Sequence, residues 1–124
     1  MRAFWPGAND PIVEINYRLL VGFDEKGGPL YGAGRVADER EIEAVQYILE
    51  PLQPRPATIT SKPMGEVQLE LASGAELRIW PVFHPTYNEY RDLFKIDHMD
   101  CPMPPSLAAI LNRWREELVE ENRG

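Results

Sequence analysis

The sequence predicts a single two-layer α+β domain, a mainly antiparallel sheet carrying two amphipathic helices. Three observations lead there. Several segments alternate apolar and polar residues with period two, and short turns join them, which favours antiparallel pairing. Two other segments switch to helical spacing, each with one apolar stripe to bury. The resulting order, β-β-α-β-β-β-(β)-α, lets both stripes pack on one face of one sheet.

Each element has its own signal. In IVEINYRLLVGF, residues 12–23, Val13, Ile15, Tyr17, Leu19, Val21 and Phe23 share one face, and Glu14, Asn16 and Arg18 share the other. DEKGGP, residues 24–29, turns the chain back into a second strand, LYGAGRVA at 30–37. Gly32 and Gly34 weaken that strand and mark a bulge or a close approach. At Asp38 the period changes. Asp38 is placed to cap a helix, with Glu41 reaching back as in a capping box. Ile42, Val45, Ile48, Leu49 and Leu52 then form an apolar stripe, and Pro51 and Pro54 end the helix near Glu50.

Three short strands are expected next: ATITSK at 57–62, EVQLELA at 66–72 and ELRIWPVF at 76–83. Ser73-Gly74-Ala75 reads as the hairpin turn between the last two. Pro81 predicts that the third lies at a sheet edge or ends in a bulge. HPTYNEYRD reads as a loop or a single helical turn, and 92–97 has room for a further strand. IDHMDCPMPPS, 96–106, reads as a rigid extended crossing, with Ser106 capping the last helix. That helix carries Leu107, Ile110, Leu111, Trp114 and Leu118 on one stripe.

Composition bounds the function. The 124 residues fit one domain over 1–124, with 1–11 and 120–124 expected to be less ordered. A net charge of −7 with scattered Lys and Arg argues against nucleic-acid binding and makes a basic protein partner conceivable. The single cysteine forms no internal disulfide, and no segment is apolar for long enough to cross a bilayer or to act as a signal peptide. A soluble cytoplasmic protein without cofactor or membrane contact is the expectation. No segment carries a phosphate loop, a dinucleotide fingerprint or another family motif.

Two groups of residues invite a functional reading. WPVFHPTYNEY gathers aromatics, and an exposed Trp beside Tyr and Arg has the composition of a binding hot spot. Trp80, Tyr87, Tyr90 and Arg91 are therefore the expected binding residues of a small non-enzymatic interaction domain. If Leu77 and Ile79 face the core, Trp80 and Val82 point to the other side of the sheet. The second group is His84, His98, Asp97, Asp100 and Cys101, donor types that suit zinc or another transition ion. His84, His98, Asp100 and Cys101 would hold a metal, or Cys101 would pair with a histidine as a nucleophile. Against this, paired C-x2-C spacing is missing, Pro102 follows the thiol, and Asp97 and Asp100 would raise its pKa. The metal-assisted or thiol enzyme is the alternative to the interaction domain. A third possibility is self-association through the edge at Pro81 or the glycine-rich second strand.

Overall fold

A computed structural model describes residues 10–56, 62–97 and 99–123. Its elements are β1 (Ile12–Phe23), β2 (Pro29–Val36), α1 (Glu39–Leu49), β3 (Arg55–Pro56), β4 (Gly65–Leu71), β5 (Glu76–His84), β6 (Glu89–Ile96), β7 (Met99–Pro102) and α2 (Pro105–Arg123). Among the described residues the strands form one seven-stranded sheet in the order β2-β1-β4-β5-β6-β7-β3, with every pair antiparallel. Both helices contribute to one apolar core against it, which makes the α+β fold that the alternation and the two stripes predict. The strand expected over 57–62 lies outside the described residues except for Lys62, which is not in a strand.

The alternation of β1 holds only in its middle. Ile15, Tyr17 and Leu19 are buried as expected, but Val13 and Phe23 are exposed, while Ile12 and Leu20 are in the core. The cause is register. Pairing slips between Ile12 and Glu14 against β4, and between Leu20 and Gly22 against β2. One extra residue at each end reverses which side chain faces inward.

Pro81 marks a bulge rather than an edge. β5 lies inside the sheet, paired through Ile79 with β4 and from Trp80 onward with β6. β5 advances from Pro81 to Phe83 while β6 advances from Phe94 back to Tyr90, so β6 carries extra residues there. A proline is tolerated because β4 no longer needs its N–H. Its carbonyl still accepts from Met64 N–H at 3.1 Å. The outermost strand on one side is the glycine-rich β2. There Tyr17, opposite Gly34, lies over the glycine, and a Cβ on Gly34 would come within 2.5 Å of its ring.

The helix signals were partly reused. Asp38 caps α1, its carboxylate accepting from Arg40 N–H at 2.9 Å. Glu41 does not complete a capping box. Its carboxylate accepts instead from Arg113 and from the indole N–H of Trp114, tying α1 to α2. Trp114 stacks on Tyr17 with ring centroids 4.7 Å apart and planes 9° apart, which seats α2 on β1. α2 starts one residue before the expected cap, with Pro105 in its first turn, where a missing N–H costs nothing. Leu107, Leu111, Trp114 and Leu118 are buried, each contributing on the order of 2 kcal/mol by transfer from water. β6 begins earlier than the expected strand at 92, and the extended crossing before α2 pairs with β6 as β7.

A buried polar linkage sits where β1 and β4 part. Their ladder ends at Leu19 and Gly65. Beyond it the Tyr90 hydroxyl, fully buried, accepts from Leu20 N–H at 2.8 Å and donates to Met64 C=O. Gly65 has φ +120° there, and a Cβ would approach Arg18 O at 2.7 Å and Tyr90 Oη at 2.9 Å. Tyr90→Phe takes this partner from the buried Leu20 N–H and the part-buried Met64 carbonyl, so unfolding in urea should show a loss of about 1–3 kcal/mol. Gly65→Ala should cost a similar or larger amount, from strain and the clash. A midpoint unchanged in either variant would contradict this reading of the junction.

Candidate functional site

The turn between β5 and β6 brings five side chains together on the surface. It is closed by Tyr87 N–H to His84 C=O at 3.2 Å and by Asn88 N–H to Pro85 C=O at 3.2 Å. Asn88 takes a positive φ of 54°, which asparagine tolerates better than most residues. Arg115 of α2 holds the turn from below, donating to Asn88 C=O at 3.4 Å and to its side-chain oxygen at 3.2 Å. The same guanidinium donates to Leu20 C=O at 2.7 Å and lies 4.8 Å from the Phe83 ring centroid.

On this support Tyr87 is 61% exposed. The Arg91 guanidinium covers its ring at 4.2 Å from the centroid, and His84 lies beside it with ring centroids 6.3 Å apart. Two acids complete the group. Arg91 approaches Glu89 at 3.4 Å and Asp92 at 3.5 Å, and His84 Nε2 lies 3.3 Å from Asp92. Asp92 has φ 74°, in the extra stretch of β6, and this backbone turn aims its carboxylate at both His84 and Arg91. These ion pairs are exposed, so each is worth roughly 0–1 kcal/mol. The two acids flank Arg91 where its guanidinium covers the Tyr87 ring.

The structure therefore divides the expected binding residues. Tyr87 and Arg91 meet, with His84 as a neighbour. Tyr90 is not a surface residue: its hydroxyl is the buried linkage between β1 and the residue preceding β4. Trp80 stands apart, half-buried, four residues back along β5 and directly opposite Lys95. It lies outside the helix-side core, as does the buried Val82, in keeping with the expected opposite face.

Among the described residues expected to hold a metal, His84, Asp100 and Cys101 do not come together. Cys101 is fully buried opposite Phe94, whereas His84 is opposite Glu89. Phe94 is level with Pro81, three positions or about 10 Å from His84 along β5 at 3.3 Å per residue, and Cys101 lies a further strand away, beyond β6. Asp100 is buried and paired with Lys95 at 2.9 Å, and its other carboxylate oxygen has no hydrogen-bond partner among the described residues. His98 lies outside the described residues. Among the described residues, no three His, Cys, Asp or Glu side chains are grouped to hold a metal ion.

Burial raises the Cys101 thiol from 9.0 to about 11, with nearby Arg55 pulling slightly the other way. A raised pKa keeps the unreactive thiol form at neutral pH, the reverse of what a nucleophilic cysteine needs. Burial likewise takes the Tyr90 hydroxyl up to about 12.

Sequence reasoning missed Asn88, Asp92 and Arg115. Asn88 had a faint signal, an asparagine in a candidate turn. Arg115 had none, because its partners are far away in sequence.

The thiol should resist an alkylating probe at pH 7–8 in the folded protein and react once urea unfolds it; fast native labelling would contradict its burial. Both groups are raised on folding, so the unfolded state loses these protons first. Stability should be constant below pH 9 on their account and fall as pH climbs through about 11 to 12, followed by urea midpoints across that range. Comparison with protein-family models, with curated proteins and with solved structures finds no match to this chain.

Proposed function

We propose that the chain is a small non-enzymatic protein-interaction domain that presents the β5–β6 turn, with Tyr87 and Arg91 at the centre of the contact. The observation that carries this reading is an exposed tyrosine under a guanidinium on a backbone that is held from both sides. Aromatic and arginine side chains dominate binding energy when they are pre-positioned, since little rotamer freedom is lost on contact. Arg91 is steered by Glu89 and Asp92, and the turn beneath is tied to α2 through Arg115 and Asn88. Trp80, beside Lys95 on the sheet face away from the helices, offers a further apolar surface.

An enzyme built on His84 and Cys101 has less support. The two sit at separate places along β6, and the thiol is buried. His84 with Asp92 forms an oriented pair at the surface, which suits recognition as well as proton transfer.

The experiment is affinity capture from the source cell with wild-type protein, Tyr87→Ala, Arg91→Ala and Trp80→Ala. Each variant is first shown to keep the wild-type urea midpoint. The expected result is a partner enriched by wild type and reduced about tenfold or more with Tyr87→Ala and Arg91→Ala, the size of a hot-spot truncation. No enrichment over control, or equal recovery with all three variants, would contradict the proposal.

A further inference from the structure

A second surface lies near the other end of β1, about 26 Å along the strand from Leu20 at 3.3 Å per residue. It is a groove of about 530 Å³ between the start of β1 and α1. Gln46 joins its two walls: its side-chain oxygen accepts from Ile12 N–H at 2.8 Å, and its amide donates to Glu50 at 3.1 Å. Ile12 and Ile42 are buried beneath.

The rim combines two features. One is apolar. The slip in register between Ile12 and Glu14 turns Val13 outward, 53% exposed, and Tyr47 is 79% exposed. The other is charge. Glu39, Glu43 and Glu50 recur along the same stripe of α1 as Tyr47, and no Lys or Arg is among the described residues lining the groove. Glu39 and Glu43 form no ion pair among the described residues.

We infer that this groove docks a basic segment of a partner protein, whose Lys or Arg side chains pair with the three glutamates while an apolar side chain seats between Val13 and Tyr47. The charge pattern selects this occupant. A second copy of the chain brings a further −7 charge toward the acids. Nucleic acid brings phosphates. A metal ion alone lacks a three-donor group among the described residues. A basic segment with an apolar anchor satisfies both parts of the rim, with charge setting encounter and register and the apolar contact setting residence.

The test is an amide-resolved NMR titration of the full chain with short synthetic peptides. One carries Lys and Arg around a central leucine, a second replaces the bases with glutamate, and a third replaces the leucine with glycine. The expected result is saturable shifts from the first peptide at residues 12–13 and 39–50, weakened by salt. Affinity should fall about tenfold in the Glu39→Gln, Glu43→Gln double variant and again in Tyr47→Ala. Tyr87→Ala should leave it unchanged, which separates this surface from the β5–β6 turn. Shifts absent at saturating peptide, scattered over the surface, equal with the glutamate or glycine peptide, or unaltered by the double variant would each overturn the inference.

Discussion

The fold turns on one hydroxyl. β1 and β4 run together from Ile12 to Leu19 and then separate, since β1 bulges at Val21 and the chain before β4 leaves for Pro81 on β5. Separation would strand a buried amide N–H on Leu20 and a carbonyl on Met64, and buried backbone groups do not tolerate being unpaired. Tyr90 supplies the one side-chain group that accepts from the first and donates to the second with the same atom. A phenylalanine would fill the volume and do neither. Gly65 is the matching constraint, since any Cβ there meets the Arg18 carbonyl and the Tyr90 hydroxyl.

From this point the surface follows. Tyr90 faces Phe83 edge-on, with ring centroids 5.2 Å apart, and its own backbone is closed by Asn112, which accepts from Tyr90 N–H at 2.8 Å and donates to its C=O at 2.9 Å. A helix side chain thus takes the place of a neighbouring strand. Three residues further along α2, Arg115 closes Leu20 C=O and reaches Asn88 in the turn. Core, helix and turn are one connected set of hydrogen bonds, and Tyr87 and Arg91 stand on its outer edge. The turn is held by the same bonds that satisfy the parted strands.

The sequence made the layers legible and left the junctions hidden. Periodicity in β1, β4, α1 and α2 reflects local geometry, so it can be read from a short window. A bulge has no such signature. Val13 and Ile12, Val21 and Leu20 are equally apolar neighbours, and only pairing with β2 and β4 decides which faces inward. Tyr87 and Tyr90 illustrate the same limit at the candidate site. They are three residues apart in one aromatic run, yet one is at the surface and the other is fully buried in the sheet junction. What separates them is Leu20, Met64 and Asn112, distant in sequence. Cys101 and His84 looked close in chemistry for the same reason, and the register of β6 sets them apart.

The most direct measurement is native-state hydrogen exchange of the Leu20 amide. If the Tyr90 hydroxyl bridges the parted strands, this amide should exchange only with opening of the core, as slowly as the amides of the β1–β4 ladder, and should lose much of that protection in Tyr90→Phe. A Leu20 amide that exchanges in wild type as fast as the exposed turn at 24–28 would contradict the account.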